Sequence, residues 1–399
     1  MIKAVLWIAI AIVIGSAFGA VGEEGTSCSV CHSRIRVEYR ESVHTNLAIT
    51  CVDCHGGDGT VTGMEAMAPE TGFKGRPKRS GIPELCASCH ADPVAMRSYD
   101  IPTDQYAQYR TSQHGIRLAA GDTDVAVCTD CHTAHRILSP EEPRSSVYPE
   151  NVPETCARCH ADTTLMAYHG ISSDPFEQFT ESVHGVALLK EENRKAPNCA
   201  TCHGVHGTGL PDVKGISEVC DQCHLRTRQQ LREGPHKQAM DQETIPECVS
   251  CHGDHAIREV NHELFETACI GCHARGSDAF AAGQRLKTLL VEAEAAVDRA
   301  EAERAEVERL GFDTSTYRSR LYQANTALTQ ALPMQHSLDE ARVEELTRQA
   351  RSIGEQVWGE IHGLQGATRF RLVGLSIFWV YVLSIVLVIY LYRRGPRRR

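Results

Sequence analysis

The chain has 399 residues, a formal net charge of −10 and 18 cysteines. The acidic balance argues against nucleic acid as a partner, because that would require a basic face. Eighteen cysteines are far too many for an ordinary cytosolic enzyme. All of them lie between Cys28 and Cys272, so the composition divides the chain into a part rich in cysteine and histidine and a part without cysteine.

The N-terminus has the pattern of a secretory signal. Lys3 is followed by an apolar run from Ala4 to Ile14 and then by small residues, which is typical of a cleavable signal peptide. An uncleaved anchor is the alternative, although the run is short for a membrane span. We therefore predict a signal peptide over residues 1–22 and export of the residues that follow.

The cysteines form nine pairs, each with two residues between the cysteines and a histidine directly after. The pairs are Cys28/Cys31, Cys51/Cys54, Cys86/Cys89, Cys128/Cys131, Cys156/Cys159, Cys199/Cys202, Cys220/Cys223, Cys248/Cys251 and Cys269/Cys272, followed by His32, His55, His90, His132, His160, His203, His224, His252 and His273. C-x-x-C-H is the attachment motif of c-type haem. The two thiols bind the porphyrin through thioether bonds, and the adjacent histidine reaches the iron from one face.

Three other interpretations of paired cysteines fit less well. Zinc ribbons use C-x-x-C pairs but need no histidine after every pair. A disulfide framework suits an exported chain but leaves the histidines unexplained. A thioredoxin-like redox motif occurs once, in a strand–helix–strand context. Nine motifs that use every cysteine of an exported chain favour haem.

Residues 28–273 thus resemble a multihaem c-type cytochrome, of the cytochrome c3/c554 kind. The resemblance implies nine covalently bound haem c groups, with about 27 residues for each haem. So few residues cannot build a large side-chain core, so we expect the porphyrins to form the core. The predicted fold is mainly α with extensive loops.

The haem region is periodic. Residues 89–115 match residues 159–185, and residues 31–44 align with residues 223–236. One repeat unit is a haem motif, a short helix with a lone histidine, and a second haem motif. The lone histidines are His44, His114, His184 and His236. The second motifs carry a further histidine three residues on, at His135, His206 and His255, whereas the first unit has Asp58 there.

The haem region contains nine histidines besides those of the motifs, which is one for each haem. They are His44, His114, His135, His169, His184, His206, His236, His255 and His262, and we predict them as second axial ligands. His169 and His262 have no counterparts in the other units, and Met96 or Met166 are alternative ligands that more commonly fill apolar gaps. A histidine three residues after its own motif lies on the proximal side, so we expect it to bind a neighbouring haem. Asp58 marks the place where an open iron is expected.

The cysteine-free half has the heptad-like rhythm of amphipathic helices. Apolar residues at intervals of three and four predict three helices over residues 277–366, which would pack as a bundle or stalk; a partner surface is the alternative. The resemblance makes His336 a further haem contact, whereas His362 is expected in the seam or at the surface.

Leu372–Tyr392 contains 21 residues without a charge, enough to cross a bilayer. Five arginines follow, and positive charge stays on the cytoplasmic side. We predict a transmembrane helix over residues 367–392 and a basic cytoplasmic tail over residues 393–399. The haem domain, residues 23–276, would then lie in the periplasm.

These features predict a membrane-anchored electron carrier rather than an enzyme. Its expected donor is the quinol pool or a membrane partner, and its acceptor lies in the periplasm or at the surface. The first alternative is a multihaem oxidoreductase of the nitrite, hydroxylamine or tetrathionate type, with one five-coordinate haem. The second is a direct quinol dehydrogenase at the membrane surface.

Overall fold

The structure is a computed structural model that describes residues 26–209, 213–245, 248–258 and 261–394. These residues form helices and loops and no strand, which confirms the prediction of a mainly helical chain. The α-helices are α1 (Cys28–Cys31), α2 (Ser33–Tyr39), α3 (Cys51–His55), α4 (Ile82–His90), α5 (Pro93–Met96), α6 (Gln105–Thr111), α7 (Gln113–Ala119), α8 (Cys128–His132), α9 (Val152–His160), α10 (Thr163–His169), α11 (Pro175–Glu181), α12 (Val183–Leu189), α13 (Cys199–His203), α14 (Val213–Glu233), α15 (Lys237–Asp241), α16 (Val249–His252), α17 (Leu264–Thr267), α18 (Asp278–Arg309), α19 (Ser315–Met334) and α20 (Glu340–Arg394). Short 3₁₀ turns occupy Val43–Leu47, Met64–Met67, Pro69–Thr71, Arg79–Gly81, Arg97–Tyr99, Cys269–Gly271 and Gln335–Ser337.

The chain divides into two compact lobes. The first lobe comprises the chain up to Phe176 together with Leu188–Gly209, and the second comprises Glu177–Ala187 and the chain from residue 210 onward. The first lobe therefore contains six of the nine C-x-x-C-H motifs, and the second contains three motifs and the cysteine-free half.

Most haem motifs lie at the end of a helix. In α4 and α9 the motif histidine is the last helical residue, and a buried proline, Pro83 or Pro153, lies in the first turn, where a missing backbone N–H costs nothing. Residues three and four apart lie on one face of a helix. The two cysteines and the histidine of C-x-x-C-H are separated by three and four residues along the helix. The helix therefore turns both thiols and the imidazole toward the same side.

The lone histidines of the second and third repeat units lie in the first turn of a helix that a buried serine caps. The hydroxyl of Ser112 accepts a hydrogen bond of 3.0 Å from the backbone N–H of Gly115, and Ser182 does the same for Gly185. Glycine is required after each histidine, because a Cβ at Gly115 would lie 2.0 Å from the carbonyl oxygen of Tyr109. The sequence Ser-x-His-Gly thus fixes where the imidazole lies.

The three longest helices, α18, α19 and α20, pack against one another in the second lobe. Their shared cluster of buried apolar side chains comprises Ala293, Val297, Ala300, Val307, Leu321, Ala324, Ala327, Ala350, Val357 and Ile361. The seam predicted from the sequence supplies most of these residues. The start of α20 is capped by Asp339, whose carboxylate accepts a hydrogen bond of 3.2 Å from the backbone N–H of Arg342.

The end of α20 is apolar and lies outside this packing. Val373–Arg394 has a mean hydropathy of 2.4, and none of its apolar window is buried. One helix of the described chain is therefore long and apolar enough to cross a membrane, as the sequence predicts. The predicted signal peptide and most of the basic tail lie outside the described residues.

Candidate metal centres

Seven pairs of imidazole rings face each other within the two lobes, and each pair joins a motif histidine to a histidine outside the motifs. Their ring centres are 6.0–6.3 Å apart: His90–His44, His55–His135, His160–His114, His132–His206, His224–His184, His273–His236 and His252–His336. The side chains in each pair come from different elements of the chain. The pairs therefore result from tertiary packing and not from local turns.

This spacing fits one iron between two imidazoles. A first-row metal binds an imidazole nitrogen at about 2.0 Å, so two imidazoles on opposite faces of one iron have ring centres roughly 6 Å apart. Rings packed directly on one another would vary in separation with their neighbours, whereas these seven differ by only 0.3 Å. The cysteine pair beside each motif histidine supplies the thioether attachment. The donor set thus fits bis-histidine c-type haem.

The cysteines differ in exposure according to their place in the motif. The first cysteine is half-buried in all nine motifs, whereas the second is exposed in six of them: Cys31, Cys89, Cys202, Cys223, Cys251 and Cys272. That porphyrins form the core around these attachment residues stays a prediction.

The exposure of the second thiol follows from how the motif is built. A C-x-x-C pair spans less than one helical turn, so only the thiol nearer the body of the lobe, the first, is covered by neighbouring chain. A thioether also joins the rim of a porphyrin and not its centre, so the protein need not enclose the second thiol. The role of Cys89, Cys202 and Cys223 as attachment residues stays a prediction.

The described residues contain no group of three or more histidine, cysteine, aspartate or glutamate side chains that could hold a metal ion by themselves. The imidazole pairs supply only two ligands to each iron. A porphyrin provides the other four ligands from its own nitrogens. A pair of imidazoles therefore completes the set of iron ligands that the protein has to supply. The donor set therefore suits haem and is too small for a zinc ribbon.

Hydrogen bonds orient several of the rings for metal binding. Nδ1 of His55 lies 2.9 Å from the carbonyl oxygen of Gly75, and Nδ1 of His203 lies 3.2 Å from that of Gly209. An Nδ1–H that donates to a carbonyl places the proton on that nitrogen and leaves Nε2 as the metal ligand. These bonds fix both the tautomer and the direction of the ring.

Burial favours the neutral form of several paired imidazoles. It lowers the pKa of His114, His132 and His160, and the facing imidazoles of His160 and His206 lower the pKa of His114 and His132 further. A neutral imidazole has a lone pair that a metal can accept, whereas a protonated one does not. The pockets therefore favour the form of histidine that binds iron.

The pairs follow a rule along the repeat. A lone histidine faces the first motif of the next unit, as His114 faces His160. A histidine three residues after a second motif faces the second motif of the previous unit, as His206 faces His132. Each unit after the first thus supplies one ligand forward and one backward along the chain. The sequence predicts the ligands but not these directions.

The rule explains why the first unit has Asp58 in place of a histidine. A histidine at that position would serve the second motif of a preceding unit, and the haem region has none. His55, in the same motif as Asp58, faces His135, so this motif is not the site of an open iron. Asp58 instead accepts bonds from the backbone N–H and hydroxyl of Thr60, at 2.9 and 2.6 Å.

His336 takes the place of a repeat histidine where the repeat ends. It lies in the turn between α19 and α20, and its ring faces that of His252. Its Nδ1 lies 3.1 Å from the carbonyl oxygen of Leu332, so Nε2 points to the partner ring. The turn packs closely on Gly234, where a Cβ would lie 2.8 Å from the carbonyl oxygen of Ser337. In the sequence, only the resemblance to multihaem cytochromes indicated His336 as a ligand, because no cysteine motif lies near it.

His169 and His262 are not brought to a motif histidine. Nδ1 of His169 lies 2.8 Å from a guanidinium nitrogen of Arg117, and Nε2 of His262 lies 2.6 Å from the carboxylate of Glu294. His362 stacks on Trp358 with ring centres 5.1 Å apart. Met96 and Met166 are buried in α5 and α10.

Consecutive motifs are neighbours within each lobe. Cys128 raises the pKa of the Cys86 thiol above its usual value, and Cys199 does the same for Cys156, so the two thiols in each pair are neighbours. In the second lobe Cys248 lowers the pKa of the Cys220 thiol to about 7, so these two thiols are neighbours as well. Each of these pairs joins the two motifs of one repeat unit, so the two haem attachment sites of a unit would be adjacent.

Residues 43–161 match the family model described as cytochrome c3. This stretch contains four complete C-x-x-C-H motifs and spans less than a third of the chain. No curated protein and no solved structure matches the chain. The similarity to cytochrome c3 implies covalently bound haem c and supports electron transfer as the activity of this region.

Proposed function

We propose that the protein is a membrane-anchored multihaem cytochrome c that carries electrons through nine haems. The seven imidazole pairs, with ring centres 6.0–6.3 Å apart, are the observation that supports this most strongly. Each pair combines a motif histidine with a second ligand, which makes a six-coordinate iron. Such an iron has both axial positions filled and exchanges electrons without binding a substrate.

The proposed ligand set differs from the sequence prediction at three positions. His336 is added as the second ligand at His252, whereas His169 and His262 are engaged by charged side chains and are left out. His255 occupies the repeat position of His135 and His206 and stays a predicted second ligand. This last assignment is based on the repeat alone.

The contacts between consecutive motifs support electron transfer along the chain order. Haems attached at Cys86 and Cys128, whose thiols are neighbours, would be bound at adjacent sites. The protein's part in such a chain is to hold each porphyrin in place and to tune its potential through burial and nearby charge. The buried apolar side chains of the haem region are few and scattered, which agrees with porphyrins as its core.

The apolar end of α20 is the proposed anchor. With the arginines after it in the cytoplasm, the haem region lies on the outer face. The donor is then the quinol pool or a membrane partner, and the acceptor is a protein or surface outside. Deletion of residues 373–399 should release a full-length haem region into the soluble periplasmic fraction. Retention in the membrane without these residues would contradict the anchor.

Haem counting and EPR test the carrier function directly. The pyridine haemochrome assay should give nine haems per chain, and the oxidised protein should give predominantly low-spin ferric signals. His206→Ala should convert one low-spin haem to high spin. The matched control His362→Ala changes an exposed histidine that stacks on Trp358 and should leave the spectrum unchanged. Fewer than nine haems would contradict the proposal.

A further inference from the structure

We infer that the haem at His32 has an axial position that no histidine of this chain fills, and that this position binds a small external ligand. The inference deepens the proposed function and rests on it. It places an exchangeable iron at the N-terminal end of the array. Its basis is the pairing rule together with the positions of all the histidines.

The direction of the rule leaves the first motif without a donor. First motifs receive their second ligand from the lone histidine of the previous unit, as His90 does from His44 and His160 from His114. His32 belongs to the first unit, and residues 1–31 contain no histidine. In the part of the chain that the structure describes, which includes every histidine, no second imidazole faces His32.

The remaining histidines are used elsewhere. His44, the lone histidine of the same unit, faces His90. His169 contacts Arg117, His262 contacts Glu294 and His362 stacks on Trp358. None of these is available to turn toward His32 without breaking a contact that holds it.

The proximal side of this site is built like that of a closed one. His32 has φ −96° and ψ 44°, and His224 has φ −101° and ψ 33°. Both histidines follow a C-x-x-C pair and precede a helix with a related sequence. His224 faces His184, the lone histidine of the unit before it. The two sites therefore differ in the second ligand and not in the attachment.

The opposite end of the array shows how such a gap can be closed. There the repeat also stops, and the turn Gln335–Ser337 provides His336 for His252. No corresponding segment of the described chain brings a histidine to the first motif. The chain thus supplies a second histidine at one end of the array and none at the other.

An open haem iron selects its ligand by chemistry. The ferrous form takes a small neutral π-acceptor such as carbon monoxide, and the ferric form takes a small anion or nitrogen donor. The inferred ligand class is a molecule of a few atoms that binds through one nitrogen, oxygen or carbon atom. Electron delivery through the other haems would then reach this ligand.

Carbon monoxide binding to the reduced full-length protein tests the inference. We expect one carbon monoxide per nine haems, together with one high-spin ferric haem by EPR in the oxidised protein. The variant Cys28→Ala/Cys31→Ala should lose both signals and contain eight haems. The control His362→Ala changes an exposed histidine that stacks on Trp358 and should keep both signals and nine haems.

Two milder variants keep the test decisive if removal of a haem disturbs folding. Cys28→Ala leaves the haem on one thioether, which retains a vinyl group and red-shifts its absorption, so the band of the carbon monoxide complex should shift with it. His184→Ala should raise binding to two carbon monoxide molecules per chain.

Nine haems that are all low-spin and bind no carbon monoxide would overturn the inference and leave the carrier function standing. A methionine-type near-infrared band in place of the high-spin signal would overturn it as well. A haem count below nine would instead contradict the proposed function.

Discussion

The ring centres of His252 and His336 lie 6.2 Å apart, although one residue follows a cysteine pair and the other lies in the cysteine-free half. Under the proposed function, the helical half therefore contributes a ligand to a haem site and is not only a stalk. The contact between α14 and the turn that carries His336 supports this, because Arg342 also pairs with Glu233 at 3.2 Å. Movement of the long helices would displace His336 and thereby change the ligation of the iron at His252.

His336→Ala should open the haem at His252. We expect one additional high-spin haem and a changed reduction potential for a single centre, because the iron loses one imidazole. EPR and a spectroscopic redox titration measure both. The control is His362→Ala, which alters the same half of the chain without touching a paired histidine, and an unchanged spectrum in His336→Ala would refute the assignment.

Asp58→His should not supply a ligand to any haem. The position equivalent to His135 and His206 serves the second motif of a preceding unit, which the haem region lacks. The number of high-spin haems should therefore stay the same. The reciprocal change His135→Asp should add one, at His55. Loss of the high-spin signal in Asp58→His would contradict the direction of the pairing rule.

Gly115→Ala should prevent normal assembly at His160. The new Cβ would lie 2.0 Å from the carbonyl oxygen of Tyr109, so α7 must move and take His114 with it. We expect partial loss of low-spin signal and a lower yield of fully loaded protein, measured by mass spectrometry and EPR. Gly81→Ala is the control, because no described atom lies within 4 Å of its Cβ position.

The capping serine beside the same histidine should matter less. Ser112→Ala removes the hydroxyl that accepts from the N–H of Gly115, and loss of such a cap costs about 1 kcal/mol. Thermal unfolding should begin at lower temperature while all nine haems are retained. Ser98→Ala, at an exposed position of the turn Arg97–Tyr99, should have no effect, and equal shifts in the two variants would show that the cap is unimportant.

Two glycines of α20 should respond to alanine with opposite signs. A Cβ at Gly354 would lie 2.8 Å from the backbone of Ala296 in α18, so Gly354→Ala should separate the helices and lower the free energy of unfolding. No described atom lies within 4 Å of a Cβ at Gly359. Gly359→Ala should stabilise the helix by up to about 1 kcal/mol. Denaturant unfolding of the helical half compares them.

The sequence predicts the helical class, the nine attachment motifs and most second ligands, since each depends on short-range spacing. It does not predict which histidine faces which motif, because partners such as His132 and His206 belong to different repeat units and meet only through packing. His336 has no repeat around it to mark it. The expectation at Asp58 failed because the repeat shows a missing histidine but not the haem that such a histidine would serve.

The exposure of the second cysteines also lay beyond the sequence. The motif gives the same two thiols at every site, but Cys89 is exposed while Cys131, the second cysteine of the next motif, is half-buried. Burial raises the pKa of the Cys131 thiol to about 11. The difference arises from how much neighbouring chain covers each helix end, which short-range spacing does not encode.

The two-way exchange of ligands has a consequence for how the array can change in length. An internal unit gives one histidine forward and one backward and receives the same number, so its ligand count is balanced. Duplication of a whole internal unit, such as the stretch of the chain between the matching segments 89–115 and 159–185, would add two complete iron centres and disturb none. A cut inside the array would instead leave incomplete centres on both sides. Only the two end units lack a neighbour that would supply a histidine. His336 takes that place at one end, and no histidine takes it for His32 at the other.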